Sequence, residues 1–310
     1  GANKQDKVQA WTIGSSSNFA DLDASAPNAH YITVVRDFVV CARDNSNPSK
    51  VFWSDINDET DWTPATTSQS DTQIIPDGGN IMGITGGEFG LILLEKSIHR
   101  MSYIGSPFYF QFDNISRGIG CFAEGSIAQY GQITFFLSDD GFYMCNGQQV
   151  TPIGTQKVDR YFFNDLNIGF LDKMSCAVDP VNKLVVWKYK NTSLEDAMLI
   201  YNWQIQRWSR AIVDVDFIAG SAVPSVTLEG LDTYSSSIDS LGISLDSRFW
   251  VGGNFILSED VDFAHERNDV VAARFDGATG QTTFFAIRAY GQIESGLIQV
   301  ATADLRSEGY

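Results

Sequence analysis

The sequence lacks the basic clusters that proteins use to hold nucleic acid. Only 21 of its 310 residues are lysine or arginine, against 38 aspartates and glutamates, which gives a net charge of −17. A protein that grips duplex DNA needs a basic face that displaces counterions from the phosphates. We therefore do not expect DNA gripping, and the charge indicates solubility and mutual repulsion. A functional alternative is an acidic wall that does not hold DNA as it passes.

Cysteine and histidine are scarce, and their spacing predicts neither a metal site nor a disulfide framework. Four cysteines lie in or beside apolar runs, without any C-x-x-C pair: Cys41, Cys121, Cys145 and Cys176. We expect them to be single buried thiols in a protein made in a reducing compartment. Three histidines show no ligand spacing: His30, His99 and His265. We expect these to have structural or surface roles.

Long apolar runs and helical patterns are also missing. No run approaches the roughly 18 apolar residues of a membrane helix, and the N-terminal sequence GANKQDKVQAW has no apolar core of a signal peptide. We expect a soluble protein without membrane insertion. No stretch repeats apolar residues at helical spacing, and neither a phosphate-binding glycine loop nor a G-x-S-x-G nucleophile motif occurs. We expect no cofactor.

What the chain does contain is aromatic residues, with 21 Phe and 11 Tyr, and many turn signals. Central apolar strands begin near Phe38, Phe89, Ile133 and Leu184, which are 51, 44 and 51 residues apart. A repeat of about 40 to 50 residues with about four short strands is typical of β-propeller blades. The predicted fold is all-β, a β-propeller of about six or seven four-stranded blades. Two β-sandwich domains are the alternative.

Turn residues divide the chain into units. Residues 31–41 are predicted to form two strands hinged at Arg36 and Asp37, and the apolar run 89–94 to form a strand buried on both faces. Aspartate and glycine pairs punctuate the third unit, residues 126–147. A fifth unit covers about 217–252 and a sixth about 270–290. The predicted domains are a propeller over residues 1–290 and a closing strand or the start of a further segment over 291–310.

The stretch KVFWSDINDETDWTP, residues 50–64, is the candidate functional site. It combines strand, acidic turn and aromatic anchor, and a possible interaction turn would use Trp53, Asp55, Asp58, Glu59, Asp61 and Trp62. The acids allow a glycosidase-like pair, but the Gly of the sialidase hairpin pattern is missing. Their alternate spacing suggests a calcium loop, without its central Gly and closing Glu. We expect neither catalytic nor metal-binding residues, and interpret the stretch as an exposed turn at a blade edge.

Several segments together resemble the packaged-DNA stabilisation, head-closure or nozzle proteins of short-tailed bacteriophages. The resemblance covers residues from about 30 to 215 and lies in FWSDINDETDW, GGEFGLILLEKSIHRMSYIGSPFYFQFDNISRGIG, ITFFLSDDGFYMCNGQQVTPIG, KVDRYFF, VDPVNKLVVWKY and LIYNWQIQRWS. It implies a non-enzymatic tail-hub protein of the virion, made in the bacterial host cytoplasm. Such propellers form a homo-oligomeric ring, usually a hexamer, below the portal and adaptor proteins. The ring closes the DNA conduit, retains the genome and supports fibres or a needle.

Two other functions stay open from the residues. A phage or bacterial propeller could recognise a surface glycan or receptor through Trp53, Trp62 and the neighbouring acids, because aromatic faces stack on sugars. A carbohydrate-active enzyme could use paired carboxylates. In the resemblance, DNA passes through the lumen without specific binding, which agrees with the acidic composition.

Overall fold

The fold was analysed in a computed structural model, which describes residues 6–12, 15–16, 18–180, 182–222, 268–276, 281–290 and 299–302. Strands dominate this part of the chain, so the all-β prediction is confirmed. The chain divides into two compact units, Gly1–Met174 and Ser175–Tyr310. The described residues form one two-stranded sheet and five four-stranded antiparallel sheets, in which strands that follow each other in the chain are neighbours.

The first unit contains the small sheet and three of the larger ones. The small sheet pairs β1 (Gln9–Ala10) with β2 (Ala20–Asp21). The first sheet contains β3 (Tyr31–Val35), β4 (Phe38–Ala42), β5 (Lys50–Trp53) and β6 (Asp71–Ile74). The second contains β7 (Ile81–Thr85), β8 (Gly90–Leu94), β9 (Ser97–Gly105) and β10 (Tyr109–Arg117). The third contains β11 (Ala128–Tyr130), β12 (Ile133–Leu137), β13 (Phe142–Cys145) and β14 (Val150–Pro152).

Helical structure in the described residues is limited to short pieces of the first unit. The α-helix α1 covers Asp159–Asp165, and 3₁₀ turns cover Glu124–Ser126 and Ile168–Lys173. The helix follows the third sheet and buries Phe162 against Phe142, with ring centroids 4.8 Å apart. The first unit therefore consists of strands, with one 3₁₀ turn before the third sheet and two short helical pieces at its C-terminal end.

The second unit contains the remaining two sheets. The fourth sheet contains β15 (Ser175–Asp179), β16 (Leu184–Lys190), β17 (Asp196–Asn202) and β18 (Arg207–Ile212). The fifth contains β19 (Phe217–Ala222), β20 (Asn268–Asp276), β21 (Gln281–Tyr290) and β22 (Gln299–Thr302).

The strands stop where the turn chemistry predicts. Arg36 takes a positive φ of 51° in the turn between β3 and β4, at the hinge predicted from the sequence. Gly131, with a φ of 57°, does the same between β11 and β12, where residues with a side chain are disfavoured. Of the four residues that set the predicted period, Phe38, Ile133 and Leu184 begin the second strands of their sheets, and Phe89 precedes the second strand of its sheet by one residue.

Within the first unit, the second sheet is packed on both faces. In β8, Ile92 and Leu94 join a core cluster with the first sheet, whereas Leu91 and Leu93 join another with the third. Alternate side chains of a strand point to opposite faces, so this all-apolar strand must be buried on both sides. The prediction for residues 89–94 is confirmed for Gly90–Leu94, whereas Phe89 precedes the strand and is half-buried. Consecutive sheets of this unit are therefore stacked face to face.

The outer face of the first sheet is covered by the N-terminal segment. Val8, Ala26 and Ala29 pack there against Cys41 of β4, together with Trp62. Within this segment, the strand β1 covers only Gln9–Ala10 of the described residues. The N-terminal segment thus covers the outer apolar face of the first sheet. Elsewhere in the unit, apolar faces are covered by a neighbouring sheet.

In the second unit, the fourth and fifth sheets share a core. Val186 and Ile200 of the fourth sheet pack with Ile218 and Ala272 of the fifth. The same strand β16 also carries the buried Lys188. Burial of these apolar side chains therefore holds the two sheets together.

The buried charge of Lys188 is neutralised by its neighbours. Its Nζ lies 2.9 Å from Asp196 Oδ1 and donates to the carbonyl oxygen of Asp216, 2.8 Å away. Lys190 Nζ lies 2.6 Å from the other oxygen of Asp196. Pairing of this kind is required because an isolated buried charge is strongly destabilising.

The predicted fifth and sixth units are corrected by the strand pairing. β19 pairs directly with β20 and β20 with β21, so residues 217–222, 268–276 and 281–290 belong to one sheet rather than two. Most of the predicted fifth unit, residues 223–252, lies outside the described residues. None of the described sheets is closed on itself. The propeller arrangement, its blade count and the division at residue 290 stay predictions.

Candidate functional site

Both tryptophans of the predicted interaction turn are buried. Trp53 ends β5 with 3% of its surface exposed, and its Nε1 donates to the carbonyl oxygen of Gln69, 2.8 Å away. Trp62 is 7% exposed and its Nε1 donates to the carbonyl oxygen of Glu59, 2.7 Å away. Their rings fill two different core clusters. The turn therefore presents neither indole face to a sugar.

Asp55 closes the base of the turn. Its Oδ1 accepts hydrogen bonds from the N–H groups of Ile56 and Gln69, at 2.8 and 2.7 Å. Its own backbone N–H donates to the carbonyl oxygen of Asp61, 2.9 Å away. A carboxylate engaged in this way holds the chain between β5 and β6 in place. The side chain is positioned for structure and not for proton transfer.

The outer acids cap local turns. Asp58 Oδ1 accepts from the hydroxyl and the N–H of Thr60, at 2.7 and 2.9 Å, and these bonds lower the pKa of this carboxyl below its usual 3.8. Asp61 Oδ1 accepts from the N–H of Thr63 at 3.0 Å. Glu59 is exposed. Such side-chain to backbone bonds are the usual role of aspartate in turns.

The arrangement gives little support to calcium binding. In the part of the chain that the structure describes, no three His, Cys, Asp or Glu side chains converge as a metal site. A calcium loop directs six or more oxygens at one point, whereas Asp55, Asp58 and Asp61 direct theirs at nearby N–H groups. The residues predicted together are thus close in the chain without forming a common site.

The motif Ser-Asp-Asp-Gly-Phe-Tyr … Pro-Ile-Gly, which carries much of the phage resemblance, is built around a buried carboxylate. Asp159 is 8% exposed, and its Oδ1 accepts from the N–H of Phe142, 3.1 Å away. Burial raises the pKa of this carboxyl. A Cβ on Gly154 would lie 2.6 Å from Asp159 Cγ, and a Cβ on Gly141 would also overlap the carboxylate. Both glycines leave room for Asp159, so the motif is architectural.

The described histidines and cysteines have structural surroundings. His30 Nε2 lies 3.1 Å from Asn45 Oδ1, and the buried His99 lies 3.2 Å from the side-chain nitrogen of Asn114. His265 lies outside the described residues. Cys41, Cys121 and Cys145 are buried, and Cys176 is half-buried. Burial raises the pKa of the Cys41 and Cys121 thiols to about 12, which keeps them protonated and unreactive.

A hairpin that projects beyond the second sheet is a feature that the sequence reasoning did not single out. β9 and β10 have nine residues each, and the pairing of β8 with β9 ends at Gly90 and Met101. Residues 102–111 therefore extend past the sheet, and we call them the overhang. Its Tyr103 and Phe110 pack on Phe38 of the first sheet, with ring centroids 5.4 and 5.0 Å apart.

The tip of the overhang is apolar and exposed. Ile104 is 52% exposed and Phe108 is 74% exposed, on either side of a Gly-Ser-Pro turn. Residues 101–112 contain no charged side chain in a chain with 59 charged residues. The sequence does contain a signal for this tip: apolar residues stand directly beside a tight turn, where polar residues are usual.

A cleft of about 230 Å³ lies between the turns that end β7 and β11. Phe89 and Leu91 supply apolar side chains to the cleft, and Thr85 and Thr134 supply buried polar side chains. The side chain of Gln129 spans the turns, since its Oε1 accepts from the N–H of Gly86 at 3.3 Å. This hydrogen bond joins the second and third sheets at the cleft.

Comparisons with known proteins identify no family for this chain. No family model matches it, and no curated protein matches it. A solved structure of a "Putative exported protein" from Bacteroides fragilis is similar over 66% of this chain and 70% of that one, with 11% identity and a TM-score of 0.30. A likeness of this size carries no argument about fold or function. Among the described residues, no helix has the length and apolarity required to cross a membrane.

Proposed function

We propose that the chain is a structural virion protein of a short phage tail, a hub or nozzle ring that closes the DNA conduit and retains the packaged genome. The supporting observation is the succession of four-stranded meanders, which stack face to face in chain order within each unit. In this proposal the meanders are blades of a β-propeller. One blade cannot cover its own faces, so neighbouring blades must do so.

The resemblance motif supports the same function. Its glycines and aspartates build a turn around Asp159 and form no reactive group. Proteins of a tail ring act through surfaces, and a motif that serves architecture is what such a protein needs. We propose that the chain is not an enzyme and requires no cofactor.

Charge agrees with a conduit for DNA. With a net charge of −17, the chain has few cations to neutralise phosphates, so in this proposal DNA slides without being held. The proposed partners are further copies in a ring, a hexamer by the phage resemblance, with portal, adaptor and other tail proteins at its faces. Tail fibres or a tail needle would attach below the ring. The proposed location is the tail of the virion, after synthesis in the host cytoplasm.

The alternative functions have weaker support. A glycan site in residues 50–64 would need Trp53 or Trp62 at the surface, and both rings lie in cores. A glycosidase would need a carboxylic acid and a carboxylate facing one bond, whereas Asp55 and Asp58 hold backbone N–H groups. A glycan array and a hydrolysis assay on the intact chain should both give signals at background.

The main test is the presence of the protein in virions and its mass in solution. We expect mass spectrometry of purified particles of the encoding phage to detect the chain at several copies per particle. Native mass measurement of the isolated chain should detect closed oligomers. A strictly monomeric protein that is absent from virions would refute the tail-ring proposal. Cryo-electron microscopy of the particle would then locate the ring below the portal.

A further inference from the structure

We propose that the side chains of Lys188 and Asp196 condense to an isopeptide bond, an amide that joins strands β16 and β17 of the fourth sheet. The site is the buried group of two lysines and one aspartate on these strands. The bond is independent of the proposed function, because it needs neither a partner chain nor DNA.

The two reacting side chains are neighbours on one face of the sheet. Lys188 is opposite Met198 and Asp196 is opposite Lys190, so Lys188 and Asp196 are diagonal neighbours across the antiparallel strands. Nζ of Lys188 lies 2.9 Å from Oδ1 of Asp196. Lys188 is 1% exposed and Asp196 is 7% exposed. The amine and the carboxyl group are thus held in contact where bulk water is excluded, which favours a reaction that releases water.

One oxygen of Asp196 is poorly accommodated as part of a carboxylate. Among the residues that the structure describes, none donates a hydrogen bond to the buried Oδ1. Nζ of Lys188 is close enough to do so, but its direction of approach is not that of a hydrogen bond. Buried oxygens nearly always have a hydrogen-bond partner. Departure of Oδ1 as water in the condensation removes this exception.

The other polar contacts of the pair suit an amide. Lys188 Nζ donates to the carbonyl oxygen of Asp216, 2.8 Å away, and an amide keeps one N–H for this bond. Lys190 Nζ donates to Oδ2 of Asp196, 2.6 Å away, and this oxygen becomes the amide carbonyl. The donor and the acceptor of the product therefore both have their partners in place.

The condensation requires no oxidant and no cofactor. A proton first passes from the Lys188 ammonium to Oδ1 of Asp196, because a neutral amine and a neutral acid cost less to bury than two ions. The lone pair of Nζ then forms a bond to Cγ, and the Lys190 ammonium stabilises the negative charge that develops on Oδ2. The bond between Cγ and Oδ1 breaks, and Oδ1 leaves as water with a second proton from Nζ. One ammonium and one carboxylate thus give one amide and one water.

Intact-mass spectrometry of the purified and denatured full chain tests the bond. We expect the measured mass to be lower by one water molecule than the mass calculated from the sequence. Trypsin should release residues 184–190 covalently joined to residues 191–207, because an acylated Lys188 is not cleaved. A wild-type chain of full mass would overturn the proposal. A loss of water confined to a single tryptic peptide, as a succinimide gives, would also overturn it.

Two arginine variants identify the reacting amine. Lys188→Arg keeps a cation beside Asp196, but a guanidinium stays protonated and forms no amide, so this variant should have its full mass. Lys190→Arg is the matched control, because arginine can still donate to Oδ2, and it should retain the loss of water. Circular dichroism should show that both variants are folded. Loss of water in both variants, or in neither, would overturn the assignment to Lys188.

Discussion

At the scale of single residues, the buried carboxylate of Asp159 restricts which residues can stand beside it. Asp159 sits between two glycines, receives the N–H of Phe142 and follows the strands that it stabilises. Position 154 requires glycine because there is no room for a side chain. Its backbone angle does not require glycine, since φ is not positive there. The Asp159 carboxylate thus leaves no room for a side chain at position 154.

Replacing Gly154 with Ala should test this constraint. We expect the free energy of unfolding to fall by roughly 1–3 kcal/mol, because the new Cβ overlaps the Asp159 carboxylate and forces the turn to shift. Urea denaturation measures the change. The matched control is Gly169→Ala in the 3₁₀ turn Ile168–Lys173, where the nearest atom to the new Cβ is Asn167 Oδ1 at 3.3 Å. Equal effects of the two substitutions would contradict the steric explanation.

The surroundings of His99 link the stability of the protein to pH. Burial lowers the pKa of its imidazole below the usual 6.5, Asp77 opposes the shift and Arg117 adds to it. Its Nε2 lies 3.6 Å from Asp77 Oδ1 and 3.2 Å from Asn114. The folded protein therefore holds His99 neutral at a pH at which the unfolded chain begins to bind a proton.

Acidification should therefore destabilise the protein through His99. A histidine with a lowered folded pKa contributes stability above its unfolded pKa, and this stability is lost as the pH falls below about 6.5. We expect the free energy of unfolding to fall more between pH 7.5 and 5 in the wild type than in His99→Gln. Urea denaturation across this range gives the difference. A parallel decline in both proteins would show that His99 is not the responsible group.

At the scale of elements, the β9–β10 hairpin combines a core role with an exposed one. Its overhang carries Phe110, 5% exposed, among the rings of the first sheet, and Phe108, 74% exposed, at the tip. The two residues are two positions apart in the chain. Their side chains differ in burial because the tip turn changes direction between them.

Alanine at these two positions should separate the roles. We expect Phe110→Ala to lower the free energy of unfolding by roughly 3–5 kcal/mol, the usual cost of removing a buried Phe. Phe108→Ala should change it by no more than about 0.5 kcal/mol, as surface substitutions do. Chemical denaturation at low protein concentration measures both without a contribution from self-association. A large loss in Phe108→Ala would mean that the tip is part of the fold.

At the scale of the whole molecule, charge is the dominant property. The excess of 17 negative charges is a feature of the complete chain and belongs to no single site. It opposes binding to nucleic acid and keeps copies apart except where neutral surfaces meet. Retention of DNA by a ring of such chains would have to be steric.

The chain should not bind duplex DNA even at low salt. We expect no shift of a labelled duplex at about 50 mM salt, a condition that strengthens phosphate contacts. Fluorescence anisotropy measures binding, and a basic DNA-binding protein serves as the positive control. Binding that weakens steeply between about 50 and 200 mM salt would reveal a basic surface and contradict the sliding-conduit proposal.

The sequence by itself determined the all-β class and the positions of most strands in residues 31–212. Strand alternation and turn chemistry act over a few residues, so they can be read locally. The spacing of Phe38, Ile133 and Leu184 correctly marked the second strands of three sheets. For the predicted site, the sequence correctly placed an acidic turn after β5.

Only the tertiary structure decided what that turn can do and which strands share a sheet. Trp53 and Trp62 are buried by residues far away in the chain, such as Phe110 and Val8, which no local pattern indicates. β19 likewise pairs with β20, whose first residue lies 84 positions after Leu184, instead of the 44 to 51 of the earlier repeats. Contacts between distant segments depend on packing of the whole unit, because side-chain burial is settled only when the neighbouring sheet is in place.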